Sequence, residues 1–142
     1  MQQNENQLTE ANIEIVRHYF QELDSKQQVP EHLLTPDFIF HPAGFPPMDI
    51  EADKSFTAMF FDSIPDLKHP YDEIFSSGDL VCYRGRYNGT HTGAPFMGQP
   101  ATGNRIDATG IGVVRIVDGK IAELWISPDR MTIMQQLGVI AQ

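Results

Sequence analysis

The sequence predicts an α+β domain in which antiparallel strands cover a small group of helices on one face. Three observations predict it. Apolar residues recur mainly at helical spacing up to about residue 63 and at alternating spacing from residue 68 onward. The pair Asp118-Gly119 separates two strand-like runs, the strongest short-range hairpin signal a chain offers. A chain of 142 residues with 41% apolar content can remove roughly 70% of its surface from water, enough for one core. The chain is therefore read as a single domain over residues 9–142 behind a flexible polar leader, residues 1–8.

Each element has its own local reason. Thr9 caps a helix over roughly 10–26, whose apolar positions Ile13, Val16, Phe20 and Leu23 recur at three- and four-residue steps. Pro30 and Glu31-His-Leu-Leu34 suggest a short second helix, stopped by Thr35-Pro36 because a residue before proline avoids the α region. Residues 37–41 read as a short strand that enters a proline-rich turn, Pro42 to Pro47. A helix over about 50–63 places Phe56, Met59 and Phe60 on one face and ends before Pro65. Strands over 71–76 and 80–89 flank the turn Ser76-Ser-Gly-Asp79, and strands over 106–117 and 120–127 flank Asp118-Gly119.

Counting outward from a two-residue turn sets Ile116 against Ile121, Val114 against Glu123 and Gly112 against Trp125. Val114, Ile116, Ile121, Glu123 and Trp125 then share one face, and Ile111, Val113, Arg115, Ala122, Leu124 and Ile126 the other. Both faces are largely apolar, so one is expected to pack on the helices and the other on a second subunit. The chain ends in a helix with Ser127 as N-cap, Pro128 at its first position and Asp129 in its first turn, closed by Gly138. Helices first and a meandering sheet afterwards are the pattern of an α+β domain.

Charge narrows the range of partners. Residues 1–79 hold 15 acidic and 4 basic side chains, net −11, whereas residues 80–142 hold 4 acidic and 6 basic ones, net +2, which together give the −9 of the whole chain. Such a field repels phosphate backbones, so neither nucleic acid nor an anionic membrane is an expected partner, and a small molecule is. The chain has no apolar run long enough to span a membrane and no signal-peptide pattern at its start, so the expected compartment is the cytoplasm. The single cysteine, Cys82, cannot form an internal disulfide and is read as a buried structural thiol.

No GxGxxG, Walker loop, GxSxG or HExxH motif occurs. The histidines, at 18, 32, 41, 69 and 91, never fall three or four apart. Neither a metal nor a cofactor is expected.

Four regions remain as candidates for chemistry. The connection from Gly89 to Asn104, with four glycines and two prolines, is long for a compact domain. Within it, His91 and Phe96 either frame a pocket mouth or simply hold a wide loop. His41 and Tyr19 are either polar groups satisfied in a partly buried setting or catalytic groups. Asp129 is either a capping residue or an acid/base group, with the helix dipole lowering its pKa and burial near Trp125 raising it.

The run Gly89-Thr-His-Thr-Gly93, Phe96-Met-Gly98 and Pro100-Ala-Thr-Gly103, followed by Arg115-Ile-Val-Asp-Gly-Lys-Ile-Ala-Glu-Leu-Trp125, Asp129 and Gln136-Leu-Gly138, resembles the SnoaL-like polyketide cyclase (ester cyclase) family. The resemblance implies the nuclear transport factor two-like fold, a cone in which a curved antiparallel sheet wraps about three helices around an apolar cavity, and self-association as a dimer or tetramer through that sheet. It implies ring closure by intramolecular aldol condensation on an apolar, carbonyl-bearing small molecule, without metal or cofactor, and with Asp129 as acid/base. His41, His91 and Arg115 are then candidates to steady the enolate, and Trp125, Tyr19 and Phe96 to line the substrate site.

Two other readings stay open. One is hydrolysis of an epoxide or similar electrophile, for which Asp107 is the nearest second carboxylate to Arg115 and Asp129. The other is a non-catalytic binding or dimerising module, its interior filled by some of the nine Phe and six Met side chains and Asp129 serving only as a cap.

Overall fold

The first helix is longer than its apolar stripe. In the computed structural model, which describes residues 2–141, α1 runs Gln2–Lys26; nothing before Pro30 is a proline or glycine, so no residue of the polar leader interrupts it. It ends where Gln27 turns left-handed (φ 57°) with its amide bonded to the Leu23 carbonyl at 2.8 Å. A single 3₁₀ turn, Glu31–Leu33, leads into β1 (Leu34–Pro42), followed by α2 (Ile50–Ser63), β2 (Tyr71–Ser77), β3 (Leu80–Thr90), β4 (Arg105–Val117), β5 (Lys120–Pro128) and α3 (Arg130–Leu137). No described helix is long and apolar enough to cross a membrane.

The five strands form one open sheet in the order β1-β5-β4-β3-β2, with β1 parallel to β5 and the rest antiparallel. The sheet is mixed rather than wholly antiparallel. The short helical turn ends before Thr35-Pro36 as expected, and Pro36 itself lies inside β1, where the register shifts between Leu34 and Ile39. An edge strand tolerates the missing amide there. Three helices and this sheet give the expected α+β cone.

The hairpin at Asp118-Gly119 forms as expected, both residues at positive φ (49° and 78°). Its register holds for only two pairs, Val117–Lys120 and Ile116–Ile121. A β-bulge follows, so that Arg115 pairs with Glu123, Val114 with Leu124, Val113 with Trp125 and Gly112 with Ile126. One extra residue moves every later side chain to the opposite face. Leu124 and Ile126 therefore point inward with Val114 and Ile116, while Glu123 and Trp125 point outward with Arg115, Val113 and Ile111.

The inner face packs on Val16, Phe20 and Leu23 of α1, Phe61 of α2 and Ile133 and Leu137 of α3, all at most 7% exposed. Met59 is not part of that face; it is exposed, and Phe56, Phe60 and Phe61 carry the inward side of α2. The outer face bears a row across all five strands, Phe75, Cys82, Val113, Trp125 and His41, each paired with the next. Cys82 thus lies half-buried on that face rather than in the core.

Pairing also runs further into the C-terminal segment than expected. Gly110 pairs with Pro128, and the Asp129 amide donates to the Thr109 carbonyl at 2.9 Å. The helix cap is therefore Asp129, not Ser127, and Gly138 (φ 81°) closes α3.

Candidate active site

Between the three helices and the inner face of the sheet lies a cavity of about 110 Å³. Its wall is mostly aromatic and aliphatic, with Phe20, Phe40, Phe56, Phe60, Leu124 and Ile126 prominent. Its polar members are Tyr19, Asp53, Thr57, His69, Tyr83, Tyr87 and Arg130. Two glycines of β4 shape the sheet side. A Cβ on Gly112 would sit 2.3 Å from the Tyr83 ring, and one on Gly110 would sit 2.7 Å from that of Tyr87. Glycine at these inward positions lets both tyrosines of β3 lie across the neighbouring strand.

His69, in the α2–β2 connection, is held by Asp24 of α1 at two points. Its ring Nδ1 lies 2.6 Å from Asp24 Oδ1, and its backbone amide donates to Oδ2 at 2.8 Å. A carboxylate accepts, so Nδ1 carries a hydrogen. Nε2 has no hydrogen-bond partner among the described residues. Both side chains are largely buried, 16% and 17% exposed, and the imidazole is boxed by Phe20, Phe61 and Tyr87.

Asp53 is the buried acid of the cavity, 1% exposed. Oδ1 accepts from the Thr57 hydroxyl at 2.9 Å, while Oδ2 is buried without a partner. Burial pushes this carboxyl up to about 6, against a smaller lowering from Thr57. The tyrosines stay neutral: burial raises Tyr19 and Tyr83 well above the phenol range and Tyr87 to about 12. For Tyr19 the charges of Asp53 and Asp24 add to burial, and for Tyr87 the charge of Arg130 opposes it. Arg130 Cζ stacks 4.8 Å over the Phe45 ring, beside Gly44, whose missing side chain leaves room for Nη1.

Of the residues that sequence alone put forward, only Tyr19 lines the cavity. Asp129 is exposed; its carboxylate accepts from the Thr132 amide (3.1 Å) and hydroxyl (2.7 Å). Those two bonds hold its pKa below the usual carboxylate range, as for a cap and not for a desolvated base. His41, Arg115 and Trp125 sit together on the outer face of the sheet. There His41 Nε2 lies 2.9 Å from Glu123, Arg115 bridges Glu123 (3.3 Å) and Asp79 (2.7 Å), and the His41 and Trp125 rings stack at 4.9 Å. The bulge of β5 put them there.

The loop residues His91 and Phe96 are buried but hold the loop in place. His91 bonds to the Ala94 carbonyl at 2.9 Å, and Phe96 packs on Phe60 with ring centroids 5.3 Å apart. Backbone bonds from Gly93 and Ala94 to Ser63 and Asp62 fasten the same loop to α2. Asp107, the second carboxylate of the hydrolase reading, is exposed and pairs with Arg86 at 3.7 Å, and it does not line the cavity.

The cavity groups that sequence reasoning missed left uneven traces. Asp53 with Phe56, Thr57 and Phe60 repeats at positions i, i+3, i+4 and i+7, so a carboxylate on the apolar face of a helix was visible. Tyr83 and Tyr87, four residues apart on one face of an alternating strand, were visible as a pattern too. Nothing local marks His69, which meets Asp24 across 45 positions.

The family model of SnoaL-like polyketide cyclases matches residues 13–137. Among solved structures, the chain superposes with a TM-score of 0.83 on a proposed SnoaL-like polyketide cyclase of Jannaschia sp. CCS1, at 24% identity over 93% of this chain and 94% of that one. IdmH of Streptomyces antibioticus, proposed to be a polyketide cyclase, gives a TM-score of 0.79 at 28% identity over 89% of this chain and 98% of its own. An LEH-like epoxide hydrolase of M. tuberculosis shares the fold, with a TM-score of 0.70 at 14% identity over 92% of each chain. Among curated protein sequences none matches.

Proposed function

The chain belongs to the SnoaL-like polyketide cyclase family, and on that footing we propose that it closes a ring in an apolar, carbonyl-bearing small molecule by cofactor-free intramolecular aldol chemistry with His69 as the base. The observation that carries this reading is His69 in the wall of the cavity, held through Nδ1 by Asp24. An imidazole fixed through Nδ1 by a carboxylate can offer Nε2 to a bound substrate, and an apolar wall keeps competing water away.

The reaction needs one group acting twice. Nε2 takes a proton from a carbon next to a carbonyl, and the C–H electron pair becomes the enolate. The enolate carbon attacks a second carbonyl of the same molecule, forming the new C–C bond and leaving an alkoxide. The imidazolium then returns its proton to that alkoxide. Substrate and product are isomers, so no co-reactant enters. Asp24 keeps the ring in one tautomer and steadies the imidazolium between the two transfers. Such a base contributes about 10²–10⁴ in rate.

The same reading keeps the cytoplasm as the working compartment and a homo-oligomer as the working unit, joined through the apolar row Phe75–Cys82–Val113–Trp125–His41. Light scattering after size exclusion that returned a monomer mass would contradict the second point.

Deuterium exchange at the carbon next to the carbonyl of β-tetralone, followed by proton NMR in D₂O, tests the base. The protein should catalyse exchange well above the buffer rate, and Asp24→Asn should slow it at least tenfold. Exchange at the buffer rate would contradict the reading. Conversion of heptane-2,6-dione to its cyclic aldol tests ring closure: catalysed exchange without closure would reduce the chemistry to enolisation.

A further inference from the structure

Asp53 is used by nothing described so far. Asp53 lines the cavity, its burial is nearly complete, one carboxyl oxygen is engaged by Thr57 and the other is buried without a partner. An orphaned buried oxygen is costly unless something in the functional state pairs with it. We propose that Asp53, in its neutral form, donates a hydrogen bond from Oδ2 to the carbonyl oxygen of the bound ligand, and so selects ketones and holds the enolate oxygen formed from them. The proposal takes from the proposed function only the choice of a ketone as ligand.

The surroundings fit a neutral donor. The charged and titratable groups that share the cavity with Asp53 are Tyr19 of α1, Tyr83 and Tyr87 of β3, His69 of the α2–β2 connection and Arg130 of α3. The three tyrosines are held neutral by burial. Lys54, the next residue along α2, turns away to Glu31 and Glu51. No ion pair with Asp53 exists among the described residues, so the charged form is favoured only by the Thr57 hydroxyl and opposed by burial. A carboxylic acid kept protonated in an apolar site can serve as the donor to a developing oxyanion.

The consequence is a pH dependence of binding with a defined sign. A ketone paired with the protonated carboxyl competes against ionisation, so its affinity holds at low pH and weakens by up to about tenfold per pH unit once Asp53 ionises, above about 6. Binding also raises the Asp53 pKa.

Calorimetric titration of the protein with β-tetralone from about pH 5 to pH 8, beside Asp53→Asn, measures this directly. Asparagine keeps a donor N–H but cannot ionise, so the variant should bind the ketone with a much flatter profile. The difference between the two slopes is the readout. A wild-type affinity flat with pH, or one that tightens as pH rises, would overturn the proposal, the latter because the ionised carboxylate would then be accepting from the ligand.

Should Asp53→Asn fail to fold, carbon-13 titration of the wild-type carboxyl with and without β-tetralone decides the same point: an unchanged or lowered pKa in the complex contradicts it. If the ketone binds with the expected slope while exchange survives removal of the His69 imidazole, the base assignment fails and this one stands.

Discussion

A histidine–carboxylate pair lies on each side of the sheet, one on its outer face and one between α1 and the α2–β2 connection, and the two pairs are not equivalent. On the outer face, His41 meets Glu123 at 2.9 Å with the side chains 27% and 32% exposed, and the carboxylate is already shared with Arg115. Inside, His69 meets Asp24 at 2.6 Å with both largely buried, and His69 lines the cavity. The outer pair is a surface network whose charges satisfy each other. The inner pair leaves Nε2 without a partner among the described residues, on a ring that lines a mostly apolar cavity. A histidine beside a carboxylate is therefore no marker of chemistry until its free nitrogen has somewhere to act.

Removing each histidine in turn gives the largest expected separation between the faces. His69→Gln should lower the β-tetralone exchange rate by about 10²–10⁴, whereas His41→Gln should leave it unchanged; comparable losses from both would erase the distinction.

The next effect is on stability. Because the Asp53 pKa is raised in the folded protein, to about 6 from 3.8, the native state holds its proton to higher pH than the unfolded chain. Its contribution is complete below about pH 4 and is lost as pH rises through about 6, amounting to roughly 3 kcal/mol. Urea titrations at pH 4 and pH 7 should show Asp53→Asn gaining relative to wild type at the higher pH; equal differences at the two values would contradict the burial of its carboxyl.

Gly112→Ala probes the same face through packing. Its Cβ would strike the Tyr83 ring, which costs about 1–3 kcal/mol if the core must shift and closes the sheet side of the cavity to β-tetralone. Val113→Ala, one residue away on the outer face, should leave the affinity intact. Equal affinities in both variants would place the ligand somewhere other than this cavity.

The elements were legible and their orientation was not. The helix over 50–63 has the bounds expected from its periodicity and from Pro65, and the Asp118-Gly119 hairpin forms at its expected turn. The register of that hairpin slips because a bulge leaves no mark in alternation when both faces of the strands are apolar. That single slip sent Trp125 and Glu123 outward, and with them the cluster around Arg115 and His41.

The candidate site was legible only at Tyr19, which sits among apolar residues at helical spacing. Asp53 could have been read the same way, as a carboxylate on an apolar helix face. The Asp24–His69 pair could not, since only the folded chain joins α1 to the connection after α2. Asp129 shows how far a motif reaches: its spacing from Trp125 fits the family pattern, yet Thr132, three residues on, supplies an amide and a hydroxyl that take its carboxylate as a cap. Asparagine caps a helix about as well as aspartate, so Asp129→Asn should shift Tm by little, the smallest of these effects.

The central claim is that proton transfer belongs to the cavity pair and not to the helix cap. The most direct test compares β-tetralone exchange by His69→Gln and Asp129→Asn, both checked for wild-type Tm. The account predicts that His69→Gln falls to near the buffer rate while Asp129→Asn keeps the wild-type rate. Full exchange by His69→Gln together with loss in Asp129→Asn would contradict it.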